Sequence, residues 1–194
     1  PPPASIAREF PISAIYRDTP RYPLGPSALP GTYSVKLTVD GAVSTQPLEI
    51  RMDPRVKTSA EQLRSQFELE SRIAAVMQQS FDALRQVVGL REQLQAAFKE
   101  AGDAQVKAAI RELDQRAAEL QGSKEGSTFL SSNEGRSFSR LNVALTNLLE
   151  TIDSADAAPI ASQAAMFQKV QETSEQQVGA WKKMRAQDVA ELNR

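Results

Sequence analysis

The side chains of this 194-residue chain that could do chemistry are almost all carboxylates. It has 24 Asp and Glu against 23 Lys and Arg, with no histidine and no cysteine. The commonest general base and transition-metal ligand are therefore missing, as are thiolate nucleophiles and disulfides. What remains is paired-carboxylate work of the glycosidase kind, which needs two acids across a cleft at roughly 5–9.5 Å. The sequence offers two such pairs, Asp153 with Asp156 and Glu68 with Glu70. Nothing in the sequence gives the two members of either pair different environments. Helix ends and solvated faces account for them, and no catalytic, cofactor-binding or metal-ligating residue is assigned. Asn133 and Gly135 lack the spacing and the lysine of a phosphate loop.

Three other places carry polar or aromatic side chains of note. Asp53, Pro54 and Arg55 stand between a strand pattern and a helix pattern, where hydrogen bonds and an ion pair would organise a corner. Trp181 has the residue type of an interface anchor, although its spacing with Val178 and Met184 better suits a helix core. Tyr33, Val35 and Leu37 form the apolar side of a strand and are candidates for an interface.

The elements that must hold these residues divide the chain near residue 56. Ten of the eleven prolines lie at or before Pro54, and proline is excluded from helix interiors. The first part, 1–56, reads as an extended arm. Pro1-Pro2-Pro3 is neither a start nor a signal peptide and suggests a fragment of something longer. Phe10 to Tyr16 has a short strand pattern. Tyr33, Val35, Leu37 and Val39 alternate with polar residues up to Asp40-Gly41, the dipeptide of a two-residue hairpin turn. On the return strand the apolar parity changes between Val43 and Leu48, which predicts a β-bulge near Pro47. A lone hairpin is marginal in water. It must be clamped to the helices at the Asp53–Val56 corner, or belong to a sandwich whose other strands lie upstream; partial cover by the helices is the expectation.

The second part, 57–194, predicts a four-helix bundle with helices over about 58–101, 103–121, 137–153 and 159–192, connected up and down. A capping box Thr58-Ser59-Ala60-Glu61 opens the first helix. Its apolar stripe runs Leu63, Phe67, Ala74, Met77, Phe81, Leu84, Val88, interrupted by Glu70, and a second stripe through Leu69, Ile73 and Val76 widens it. Gly102-Asp103 ends it and caps the next, Gly122 ends the second, and Pro159 falls at the first turn of the fourth. The fold class is thus mainly α with a small β arm.

The stretch LPGTYSVKLTVDG…QPLEIRMDPRV (29–56) resembles the region after the β-propeller in bacterial sortilin-like, BNR-repeat proteins, often labelled glycosyl hydrolases. Asp153-Ser154-Ala155-Asp156-Ala157-Ala158-Pro159, Trp181 and the AELN near the end add to the resemblance, which has Ile160 where the family tends to have Thr. It implies an exported parent, periplasmic or secreted, and a hairpin left from an Ig-like sandwich. The partners it implies are the upstream propeller and Ig-like domains, or another protein. The chain would then be a non-catalytic structural or interaction module of that parent. The alternatives are an accessory part of a hydrolase whose catalytic propeller lies elsewhere, and a free-standing helical adaptor. Near-neutral charge speaks against a nucleic-acid surface, and no apolar run reaches bilayer length.

Overall fold

The computed structural model describes residues 25–122 and 136–192. The Phe10–Tyr16 strand pattern and the Asn133–Gly135 stretch lie outside them. Strands β1 (Gly31–Val39) and β2 (Ala42–Ile50) form an antiparallel hairpin. Helices α1 (Ala60–Glu100), α2 (Ala104–Gln121), α3 (Phe138–Asp153) and α4 (Ala161–Ala186) follow, and a short α5 (Asp188–Leu192) ends the described chain. The protein is therefore mainly helical, with a hairpin in front of four main helices, as the patterning predicts.

Asp40 and Gly41 turn the hairpin with φ of 48° and 82°, the left-handed pair that a tight hairpin demands. Its register is unbroken from Val39↔Ala42 to Gly31↔Ile50, so the bulge expected at Pro47 does not exist. Pro47 sits opposite Ser34 in the regular ladder, and the parity change simply leaves Val43 on the opposite face from Leu48.

The predicted clamp to the helices is absent. Tyr33, Val35 and Leu37 are 40%, 50% and 61% exposed, and Leu48 is 46% exposed. The hairpin's packing is its own pairing, and the helices pack on one another.

Helices α1, α2 and α3 start where a side chain can take up free N–H groups. Asp103 Oδ1 accepts from the amides of Gln105 and Val106 at 2.7 and 3.0 Å. Ser137 Oγ accepts from Arg140 N. The first cap is Ser59, one residue later than expected: Ser59 Oγ accepts from Gln62 N, and Gln62 Oε1 accepts from Ser59 N. Thr58 is drawn elsewhere, its hydroxyl donating to the carbonyl of Asp156. Pro159 precedes the cap of α4 and is not in its first turn. The cap is Ile160, which has no acceptor of its own, and Gln163 Oε1 takes its N–H at 2.9 Å. The fourth helix also stops short of Leu192, at Ala186, with Gln187 breaking it from α5.

Cross-contacts fix the directions. Phe98 meets Lys107 and Arg111, Arg91 bonds Asp114 and Gln121, and Gln66 bonds the carbonyl of Ile152. As α1 is followed backward, its partners advance through α2 and then α3, and Gly122 at the end of α2 abuts Ser137 at the start of α3. The two helices thus lie end to end along α1, both antiparallel to it. Along α4 the partners rise with α1: Arg72 over Phe167, Ser80 with Ser174, Gln86 with Trp181. The chain reverses at the α1–α2 and α3–α4 connections but not between α2 and α3, so the expected up-and-down alternation fails there, and α1 with α4 forms a parallel pair.

The core is lined by Ile73, Met77, Val87, Ala117, Phe138, Leu145 and Phe167, each essentially inaccessible. On α1 the buried positions are 63, 66, 70, 73, 77, 80, 84 and 87 with 69, 83 and 94 beside them. That is the alternating three–four spacing of a coiled-coil seam. Phe67, Ala74, Phe81 and Val88, expected on the central stripe, flank it half-buried, and Val106 and Ala164 face outward.

Candidate functional site

Two polar side chains enter the interior where α1 begins and the α3–α4 turn passes over it. Gln66 and Glu70 occupy seam positions one turn apart, and both are buried. The Gln66 carboxamide nitrogen lies 3.0 Å from Glu70 Oε1, 3.1 Å from the carbonyl of Ile152 and 3.1 Å from that of Ala155. Its oxygen accepts from Ala157 N at 3.2 Å. One amide therefore takes up carbonyls at the end of α3 that have no helical partner and holds the following turn in place. From the arm, the Ser27 hydroxyl donates to Asp153 Oδ1 at 2.6 Å, at the same corner.

Glu70 is wholly buried, and its second oxygen has no hydrogen-bond partner by distance and angle among the described residues. Burial is the main force raising its pKa above the ordinary carboxyl value. The Gln66 hydrogen bond opposes this, the Asp153 charge raises it further, and the Ser27 amide lowers it. It lies inside packed helices and lines neither the cleft beside Leu120 nor the one beside Phe98.

The expected acid pairs are not assembled. Glu68 is exposed while Glu70 is buried, and Asp156 is exposed beyond the turn. The structure instead brings Glu70 toward Asp153, one member from each pair. A cleft of about 750 Å³ opens where α2, α3 and α4 meet, between Leu120, Met184 and the basic Arg116, Arg140 and Lys183, with Glu119 the single acid among its described lining residues. A shallower one of about 270 Å³ lies beside Phe98, and its one acid, Asp114, is held by Arg91 at 2.7 Å. Neither places two carboxylates across a gap. Among the described residues no group of three or more acidic side chains could hold a metal ion, and no helix is long and apolar enough to cross a membrane.

At the strand-to-helix corner, Arg55 grips Asp53 with its guanidinium at 2.6 Å and its amide at 2.9 Å, and the guanidinium lowers the Asp53 pKa. Pro54 lies in the turn closed by Val56 N to Asp53 O, and Lys57 caps its carbonyl. These are contacts within the corner. They are exposed to solvent, and none reaches the bundle. Tyr33 donates its hydroxyl to the carbonyl of Leu29, bracing the start of β1. Val35 and Leu37 are open to solvent. Trp181 is not on an interface: it is 4% exposed in the core, with its indole N–H on Gln86 Oε1 at 3.0 Å.

Gln66, Ser80 and Ser174 are polar core residues that the apolar stripes pass over. The signal that finds them is the three–four seam itself, read without regard to polarity. Comparison with family models, with curated proteins and with solved structures finds no match to this chain.

Proposed function

We propose that this chain is a non-catalytic structural and interaction module, with the helical bundle as its rigid body and the hairpin as the element that meets other polypeptide. The observation that carries this is the apolar side of the hairpin, Tyr33, Val35, Leu37, Val39 and Leu48, all at least 40% exposed. A two-stranded sheet with such a face is marginal by itself, and exposed apolar patches mark interaction surfaces. The bundle closes its own core without the hairpin. The resemblance of residues 29–56 and 153–159 supports a setting behind the β-propeller and Ig-like domains of a larger exported protein. The polypeptide stacked on the hairpin face would then come from those domains.

Hydrogen exchange tests the reading. This chain at high dilution is compared with a longer polypeptide carrying the natural residues before it. Slower exchange at Tyr33, Val35 and Leu37 in the longer polypeptide, with α1–α4 unchanged, is the expected result. Equal exchange in both would overturn it.

A further inference from the structure

The hairpin has a face and two edges, and the edges are not alike. In a hairpin with a two-residue turn, the residues flanking the turn exchange both hydrogen bonds, and every second pair does so from there. Here the flanking pair is Val39↔Ala42, so Tyr33, Val35 and Leu37 bond inward to Leu48, Gln46 and Ser44. Thr32, Ser34, Lys36 and Thr38 turn their N–H and C=O groups outward. On β2 the outward set is Val43, Thr45, Pro47 and Glu49, and Pro47 has no N–H to offer. The β2 edge is thus blunted in its middle, while the β1 edge, unpaired among the described residues, is an uninterrupted template for another strand.

We infer that the β1 edge pairs with the β1 edge of a second copy of this chain, joining two hairpins into one four-stranded sheet in the order β2-β1-β1′-β2′. This rests on the hairpin being an interaction element, but it concerns the edge, whereas the proposed function concerns the face. Antiparallel overlap of the whole strand Gly31–Val39 with itself is centred on Val35. It sets Ser34 against Lys36 of the second copy and Thr32 against its Thr38, and each pair exchanges outward hydrogen bonds. Tyr33 falls opposite Leu37 on the apolar side. Lys36 is the only charged residue in the strand, and this register keeps it from facing itself. One open edge and one blunted edge make the pairing isologous, so it closes at two copies and does not grow into a fibre.

Sedimentation of the intact chain over a wide concentration range is expected to show mass rising from 21.2 kDa to twice that value and no further. Ser34→Glu, opposite Lys36 twice in the dimer, tightens association by about tenfold, and Ser34→Lys loosens it by about tenfold. A chain that stays monomeric throughout overturns the inference, as does a dimer indifferent to both substitutions. Particles larger than two copies overturn the closure. A monomeric result leaves the covered-face reading standing, because that is decided by exchange at Tyr33, Val35 and Leu37.

Discussion

The hydroxyls of Ser80 and Ser174 face each other at 2.7 Å, where α1 and α4 lie side by side and neither side chain is accessible to water. Each satisfies the other in a place where no solvent can substitute. Ser80→Ala or Ser174→Ala alone is expected to destabilise the fold by about 1–2 kcal/mol, because it strands a buried hydroxyl. The double alanine variant is expected to recover part of that loss. A double-mutant cycle from denaturant unfolding checks it, and simple additivity of the two single changes would refute the pairing.

Glu70 makes stability depend on pH in a stated direction. Its pKa is raised on folding, so the native state holds the proton more tightly than the unfolded chain. As pH climbs from the ordinary carboxyl value of 4.5 through the raised one, stability falls. Glu70→Gln keeps the shape and an acceptor for Gln66 while removing the charge. The variant's advantage over the parent is expected to grow across that interval and then level off. Melting temperatures of both proteins at a series of pH values measure it, and a constant difference would contradict it.

The apolar face of the hairpin is exposed, and no strand packs substantially on a helix. Val35→Asp places a charge on an exposed face and is expected to change the helical melting by less than about 0.5 kcal/mol, as at ordinary surface sites. Leu145→Ala, in the core, is expected to cost about 2–5 kcal/mol. Circular dichroism at the helical band separates the two, and a large loss from Val35→Asp would restore the clamp.

Two glycines respond oppositely to alanine. Gly89 lies within α1 with open space around its missing Cβ, so Gly89→Ala is expected to stabilise by up to about 1 kcal/mol. Gly122 has φ of 71°, and a Cβ there would collide with the Ser137 hydroxyl that caps α3. Gly122→Ala is expected to destabilise. Thermal unfolding of both variants decides it.

The junction between α1 and α2 and the end of α2 were legible, because Asp103 and Gly122 announce caps by local chemistry alone. The start of α1 was ambiguous for a physical reason: Thr58/Glu61 and Ser59/Gln62 both have capping-box spacing. A tertiary contact, Thr58 to the carbonyl of Asp156, chooses between them. Pro47 misled because a proline whose nitrogen points away from the neighbouring strand fits a regular ladder without any bulge. Glu70 was visible as a charge interrupting an apolar stripe. Its partners Asp153 and Ser27 were not, since they come from segments far from it in sequence, whereas Gln66 lies only one turn away on α1.

The parallel course of α1 and α4 has a mechanical consequence. α4 starts beside the beginning of α1 and ends beside its far half, so Ala60 and Leu192 lie near opposite poles. At about 1.5 Å per residue, the separation is on the order of 50 Å. Tension applied between those two points loads the α1–α4 seam lengthwise. Phe167, Ser174 and Trp181 must then slide past Arg72, Ser80 and Gln86 together. A seam loaded in shear yields all at once, whereas one pulled from a single end peels contact by contact. With this geometry, stretching along the axis meets more resistance than peeling from one end.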